Sequence, residues 1–243
     1  MADAGVRILN FYLPAGFEML VMGVGVPAER NEPPRDGEAK MPPRALVEKL
    51  SRDYGQIPVL GLNFVDPPDP TTMKTEPLKG APALPFSISR ETAPAYWSQG
   101  ILWSVLAQGS TTDGSYALFE ELCPKGTGAP PHVHTYTDEI FYVLEGEAEF
   151  LAGDLRQTAK AGALIFIPRG TVHAFKVRSE MARFLNLYTQ AGFERILAAT
   201  GQRTTEKTPP PAGWRSLEPP KERMAEIFAE LGMHPVSLPN PFD

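Results

Sequence analysis

The chain predicts an all-β fold, one antiparallel β-sandwich or barrel flanked by Pro-rich, partly helical extensions. Three observations lead there. The 26 prolines of the 243 residues bunch between Pro27 and Pro85 and between Pro209 and Pro241, leaving a proline-poor body from about Ser87 to Tyr188. Within that body, apolar runs of four to seven residues recur: Tyr116–Leu122, Ile140–Leu144, Ala148–Leu151, Leu164–Ile167, Ala174–Val177 and Phe184–Tyr188. Turn-forming stretches such as GTGAPP, EGE, AGD, AGA and IPRG separate most of them, and short strands at this spacing are the mark of an antiparallel sandwich or barrel.

Composition sets the outer bounds. A hydrophobic content of 42% suits a globular core. A net charge of −6 without a basic stripe argues against nucleic acid or an anionic membrane as partner. Cys123 is the single cysteine, so an internal disulfide and a thiolate metal cluster are both excluded. The opening stretch has no basic region followed by an unbroken apolar core, and Pro14 and Glu18 interrupt it. These features together predict a cytoplasmic protein that neither crosses nor binds a membrane.

The chain also repeats itself. Residues 7–18 read RILNFYLPAGFE and residues 183–194 read RFLNLYTQAGFE, identical at eight of twelve positions. The likeness runs on through Gly25 and Gly201, Pro33-Pro34 and Pro209-Pro210, Pro42-Pro43 and Pro219-Pro220, and Gly55 and Gly232. Each copy reads as a strand, a helix start at AGFE, a Pro-rich crossing and an amphipathic helix, Ala45–Tyr54 in one and Glu222–Leu231 in the other. A Pro pair opens each amphipathic helix and Gly closes it. The repeat divides the chain into an N-terminal segment 1–60, a Pro-rich linker 61–84, a barrel 85–190 and a C-terminal extension 191–243. It implies an ancestor with two tandem barrels, of which this chain holds the exit segment of the first; a first barrel encoded upstream explains it equally well. Segment 1–60, without a barrel of its own here, is expected to lie across a second subunit of a homodimer.

The chemistry gathers in PPHVHTYTDE, residues 130–139. Residues two apart on a strand share a face at about 6.6–6.8 Å, so His132 and His134 can both aim imidazoles at one ion. Thr135–Asp138 is long enough to turn the chain, bringing Glu139 to the start of the next strand beside the pair and Phe141 and Val143 onto its inward face. His173 follows the turn Pro168-Arg169-Gly170, which leads back into the same sheet. Three imidazoles and a carboxylate favour a first-row divalent transition metal over magnesium or calcium. Iron, nickel, manganese, cobalt, copper and zinc all fit, at one ion per chain. Phe141 and Phe175, two residues from ligands on the same face, are the candidates for a pocket wall, while most other aromatics read as barrel filling. His234 reads as a surface residue.

These residues resemble the cupin superfamily. Its first motif, Gly-x5-His-x-His-x4-Glu-x6-Gly, is matched by Gly126, His132, His134, Glu139 and Gly146. Its second, Gly-x5-Pro-x-Gly-x2-His-x3-Asn, is matched by Gly162, Pro168, Gly170 and His173, with Val177 where the family has a non-ligating Asn. The resemblance implies a single jelly-roll barrel. The runs GTGAPPHVHTYTDEIFYVLEGEAEF and LNLYTQAGFERIL are similar, more narrowly, to quercetin 2,3-dioxygenase-like cupins. That similarity implies a metal-dependent dioxygenase that opens the ring of a flavonol-like substrate with O2, with His132, His134, Glu139 and His173 on the metal and Glu139 also the base that takes the substrate's hydroxyl proton. The competing classes are a non-catalytic metal-binding cupin that binds or senses a small molecule, and a metal-dependent isomerase or lyase.

Overall fold

The computed structural model describes residues 8–13, 15–30, 32, 35, 37, 42–54, 85–239, 241 and 242. The chain divides into two compact units, Met1–Thr75 and Glu76–Asp243. The linker expected at 61–84 lies outside the described residues.

Unit 1 holds α1 (Phe17–Val24) and α2 (Arg44–Asp53). Pro43 caps α2 with an extended backbone, φ −55° and ψ 131°, as expected of a residue with no helical partner for its ring. Arg44 with Glu48 and Lys49 with Asp53 form i,i+4 pairs along its surface, the spacing that brings side chains together on one helix face.

Unit 2 is the barrel. Its strands are β1 (Ala95–Ser98), β2 (Ile101–Ala107), β3 (Tyr116–Pro124), β4 (Gly128–His134), β5 (Glu139–Glu145), β6 (Glu147–Ala152), β7 (Leu155–Lys160), β8 (Leu164–Ile167), β9 (His173–Val177), β10 (Met181–Thr189), β11 (Gln202–Thr204) and β12 (Met233–Pro235). A one-turn helix, α3 (Gly109–Thr112), links β2 to β3, and α4 (Glu194–Thr200) and α5 (Lys221–Leu231) follow β10. Two antiparallel sheets result, ordered β11-β1-β2-β3-β10-β5-β8 and β12-β4-β9-β6-β7.

Strand alternation supplies the core. On β3 every second residue is buried, so Ala117, Phe119, Glu121 and Cys123 face inward. Phe141, Phe150, Phe175 and Phe184 meet in the interior with ring centroids 5.2 to 6.2 Å apart, and each such ring buried contributes about 2–3 kcal/mol. Tight turns close the hairpins. Gly146, between β5 and β6, has φ +76°, and a Cβ there would meet the carbonyl of Met181 at 2.3 Å; only glycine fits.

All six apolar runs singled out in the sequence are strands, extended by up to three residues at an end. Strands β1, β2, β7, β11 and β12 were not read from it. Residues 191–243 lie on the barrel: β11 extends one sheet, β12 pairs with β4 in the other, and Ile196, Leu197 and Ile227 of the two helices are buried in the barrel's apolar cluster. His234 sits exposed on β12 opposite Val133.

Candidate metal centre

His132 and His134 lie on β4 and His173 opens β9, in register with His132. Glu139 opens β5, which belongs to the opposite sheet, between β8 and β10. Its strand is therefore not the neighbour of the histidine strand expected from the sequence; the turn 135–138 carries the chain across the mouth of the barrel, and the carboxylate faces the imidazoles from the far wall. One ligand atom from each of the four residues lies within 4.8 Å of every other. All four side chains are buried, between 2% and 6% exposed.

Backbone carbonyls orient two of the rings. Nδ1 of His132 lies 2.8 Å from the Pro130 carbonyl, and Nδ1 of His173 lies 2.9 Å from that of Thr171. Against a carbonyl, Nδ1 must be the donor, which leaves the Nε2 lone pair free to point into the cluster. Nε2 of His134, Nε2 of His173 and Oε2 of Glu139 are buried and converge on one point, Oε2 lying 2.8 Å from Nε2 of His173 and 3.6 Å from Nε2 of His134. Ligand atoms desolvated together in this way are stabilised when a cation joins them. The donor set thus fits a divalent transition metal.

The electrostatics of the free site agree. Burial, reinforced by the charge of His173, pulls His132 down to about 4, and burial lowers His134 as well. Both are neutral at pH 7, as ligation requires. Burial alone would raise Glu139, but the adjoining His173, at 2.8 Å, and then His134 and His132 outweigh it and hold the carboxyl low. His173 is raised for the same reason, burial opposing and Glu139 prevailing. His173 and Glu139 thus favour each other's charged forms, their nearest atoms 2.8 Å apart.

A salt bridge locks the two motif turns together. Arg169 donates through Nε and Nη2 to the two carboxylate oxygens of Asp138, at 2.9 and 2.8 Å, and its backbone N–H also reaches Oδ1. Thr189 adds a contact from β10. Asp138 precedes Glu139, and Arg169 sits in the turn before His173, so the pair sets the gap between the carboxylate and the third imidazole. Sequence reading passed over Asp138 and Arg169, although both stand beside motif residues. It also missed Asn186, which donates to Oε1 of Glu139 at 2.9 Å; the signal was present in the repeated LNxY.

His132, Glu139 and His173 of the cluster line a cavity of about 390 Å3. Its other walls are mostly apolar: Ile101 and Trp103 from β2, Phe141, Phe175, and Met224 and Phe228 from α5, with Gln99 and Thr200 as further polar residues. Both pocket-wall candidates from the sequence thus line it, while also packing into the phenylalanine core. The closing helix α5 and strand β12 were not foreseen as parts of the site.

Residues 119–188, spanning β3 to β10 and all four cluster residues, match the cupin domain family. The barrel is a cupin domain. A quercetin 2,3-dioxygenase of Bacillus subtilis (strain 168) is 24% identical over 205 residues, covering 83% of this chain and 58% of that protein. An uncharacterized protein of Aquifex aeolicus (strain VF5) is 33% identical over 63 residues, 26% of this chain and 52% of that one. The chain thus spans little more than half the length of these curated relatives. Among solved structures, KdgF from Halomonas sp. aligns over 46% of this chain and 99% of its own at 19% identity, with a TM-score of 0.41. A predicted oxalate decarboxylase from Thermotoga maritima aligns over 43% and 99%, at the same identity and TM-score. Among the described residues, no helix is long and apolar enough to cross a membrane.

Proposed function

We propose that this cupin is a metal-dependent dioxygenase that cleaves a ring of a hydroxylated, flavonol-like aromatic with O2, using one divalent transition metal held by His132, His134, Glu139 and His173. The observation that carries the reading is the union of a buried three-histidine, one-carboxylate cluster with an apolar, aromatic-walled cavity of about 390 Å3. The likeness to a quercetin 2,3-dioxygenase, at 24% identity, supports the same chemistry. A bound ion would supply Lewis acidity, lowering the pKa of the substrate hydroxyl and placing the substrate anion and O2 side by side.

The chain's own residues do the rest. The walls Trp103, Phe141 and Phe175 accept a planar ring by apolar burial and stacking, with the substrate's hydroxyl directed to the cluster of His132, Glu139 and His173. Glu139 is a carboxylate, the form a base needs, and its Oε2 is the oxygen turned toward the histidines of the cluster. Apolar closure by Met224 and Phe228 keeps bulk water away from the reacting carbon.

Oxygen consumption with a panel of flavonols, on metal-loaded full-length protein, tests the reading. Ring-cleaved product with matching O2 uptake is expected, and Glu139→Gln lowers the rate about 100-fold or more. Ligand binding without O2 uptake would replace the dioxygenase with a binding or sensing cupin. Conversion without O2 uptake would point instead to an isomerase or lyase.

A further inference from the structure

The inward face of β3 holds a carboxyl group that the proposed chemistry leaves unused. Glu121 is 0% exposed. Its Oε1 accepts a hydrogen bond from Nδ2 of Asn186 at 2.7 Å, and the thiol of Cys123 donates to its Oε2 at 3.7 Å. The same Asn186 nitrogen lies 2.9 Å from Oε1 of Glu139 and 3.0 Å from the hydroxyl of Tyr188. With Oε1 of the Glu139 carboxylate, which can only accept, against it, this end of the carboxamide has to be the nitrogen.

The arrangement leaves the other end of the amide bare. Oδ1 of Asn186 is buried without a hydrogen-bond partner, which is unfavourable. A side chain that only filled space would carry no such cost; this one holds its nitrogen between two acids. The effect on Glu139 is asymmetric. Oε1 is engaged by Asn186, while Oε2 faces Nε2 of His173 at 2.8 Å and Nε2 of His134 at 3.6 Å.

We infer that Asn186 is a positioning residue: anchored by Glu121, it occupies Oε1 of Glu139 and leaves Oε2 as the single oxygen open to an ion or a substrate proton. The inference rests on the reading of the cluster as a metal site. Burial, aided by the charge of Glu139, pushes Glu121 up to about 8. It is a neutral acid at pH 7, able to anchor the amide without adding a second negative charge beside Glu139. Glu121→Gln should therefore preserve the device, with the new amide oxygen accepting from Asn186 and its nitrogen turned to the Cys123 sulfur.

Titration of the metal-free full-length chain with Co2+, followed by calorimetry and visible absorption, is the test. Wild type is expected to bind Co2+, Asn186→Leu to bind it about tenfold more weakly, and Glu121→Gln to stay within about twofold of wild type. Freed of Asn186, Oε1 can join Oε2 on the ion, raising its coordination number, so the Co2+ bands of Asn186→Leu should weaken and shift. Should Asn186→Leu fail to fold, Asn186→Ser, whose hydroxyl cannot span both carboxyl groups, is read in the same way. Wild-type affinity and spectrum in an Asn186 variant that folds would overturn the inference. So would a loss in Glu121→Gln equal to that in Asn186→Leu. A wild type that binds no Co2+ removes the metal reading and this inference with it, whereas binding unaffected by Asn186 removes the inference alone.

Discussion

Residues 7–18 and 183–194 carry the same RxLNxYxxAGFE pattern; the strand expected in both is present only in the second, as part of β10, since residues 8–13 form no strand, but the turn and helix start that follow are alike. Tyr12 stacks on Phe17 at 4.1 Å, and Tyr188 on Phe193 at 4.6 Å. Gly16 and Gly192 have φ of +139° and +143°, and each donates its N–H to the glutamate two residues on, at 2.8 Å in both copies. The following helices both stop at a glycine in extended conformation, Gly25 and Gly201, whose N–H bonds the carbonyl four residues back. The second helices both start after a proline with near-identical angles, Pro43 and Pro220.

Burial is where the copies part. Tyr12 is 45% exposed and Tyr188 3%; Asn10 is exposed and Asn186 fully buried. Helix α1 buries none of its residues, whereas α4 buries Ile196, Leu197 and Thr200. Twelve residues are thus enough to specify a turn, a stacked ring pair and a helix start, because each is satisfied by neighbours in sequence. They are not enough to give Asn186 its role, which depends on Glu121 and Glu139 arriving from β3 and β5.

The largest effect should come from breaking that asymmetry at its centre. Asn186→Ala strips a hydrogen bond from two buried carboxyl groups and should cost about 3 kcal/mol, while Asn10→Ala should stay within about 0.5 kcal/mol. Urea unfolding of both variants measures it. Equal losses would mean that the motif acts locally in both copies and that the barrel adds nothing to it.

A smaller effect sharpens the comparison by probing a contact with no counterpart in α1 and α2. Arg169, through its hydrogen bonds above all, holds Asp138 down to about 2, below the ordinary 3.8. A depressed carboxyl stabilises the fold above its unfolded pKa and ceases to do so as pH falls through the folded value, here between about pH 4 and pH 2. Because Arg169 is half exposed, screening reduces the contribution to about 1 kcal/mol. Asp138→Asn should remove that share of stability at pH 7 and flatten the acid limb of the stability curve; an acid limb unchanged from wild type would exclude the salt bridge as its source.

How much was legible in the sequence follows the same division between local and long-range information. The body strands were visible because alternation and turn glycines are local signals, and the four residues of the candidate metal cluster because His-x-His, the acid five residues later and the Pro-x-Gly-turn histidine keep fixed spacings. The edge strands were not, since β11 and β12 are three residues each and exist only by pairing with β1 and β4. Glu139 lay in the expected place along the chain but in the opposite sheet, because a four-residue turn can either close a hairpin or cross a barrel. Glu121 was invisible for a plain reason: an acid within a run of apolar residues reads as one more outward position until β10 is known to set an asparagine near it.

All of this hangs on the four-residue cluster being a metal centre. The most direct test is metal analysis of purified full-length protein beside His132→Ala and His173→Ala. About one transition-metal ion per chain in the wild type is expected, with loss of that ion in both variants and retained secondary structure by circular dichroism. A folded wild type with no bound transition metal after loading, or variants that hold as much metal as it does, would contradict the account.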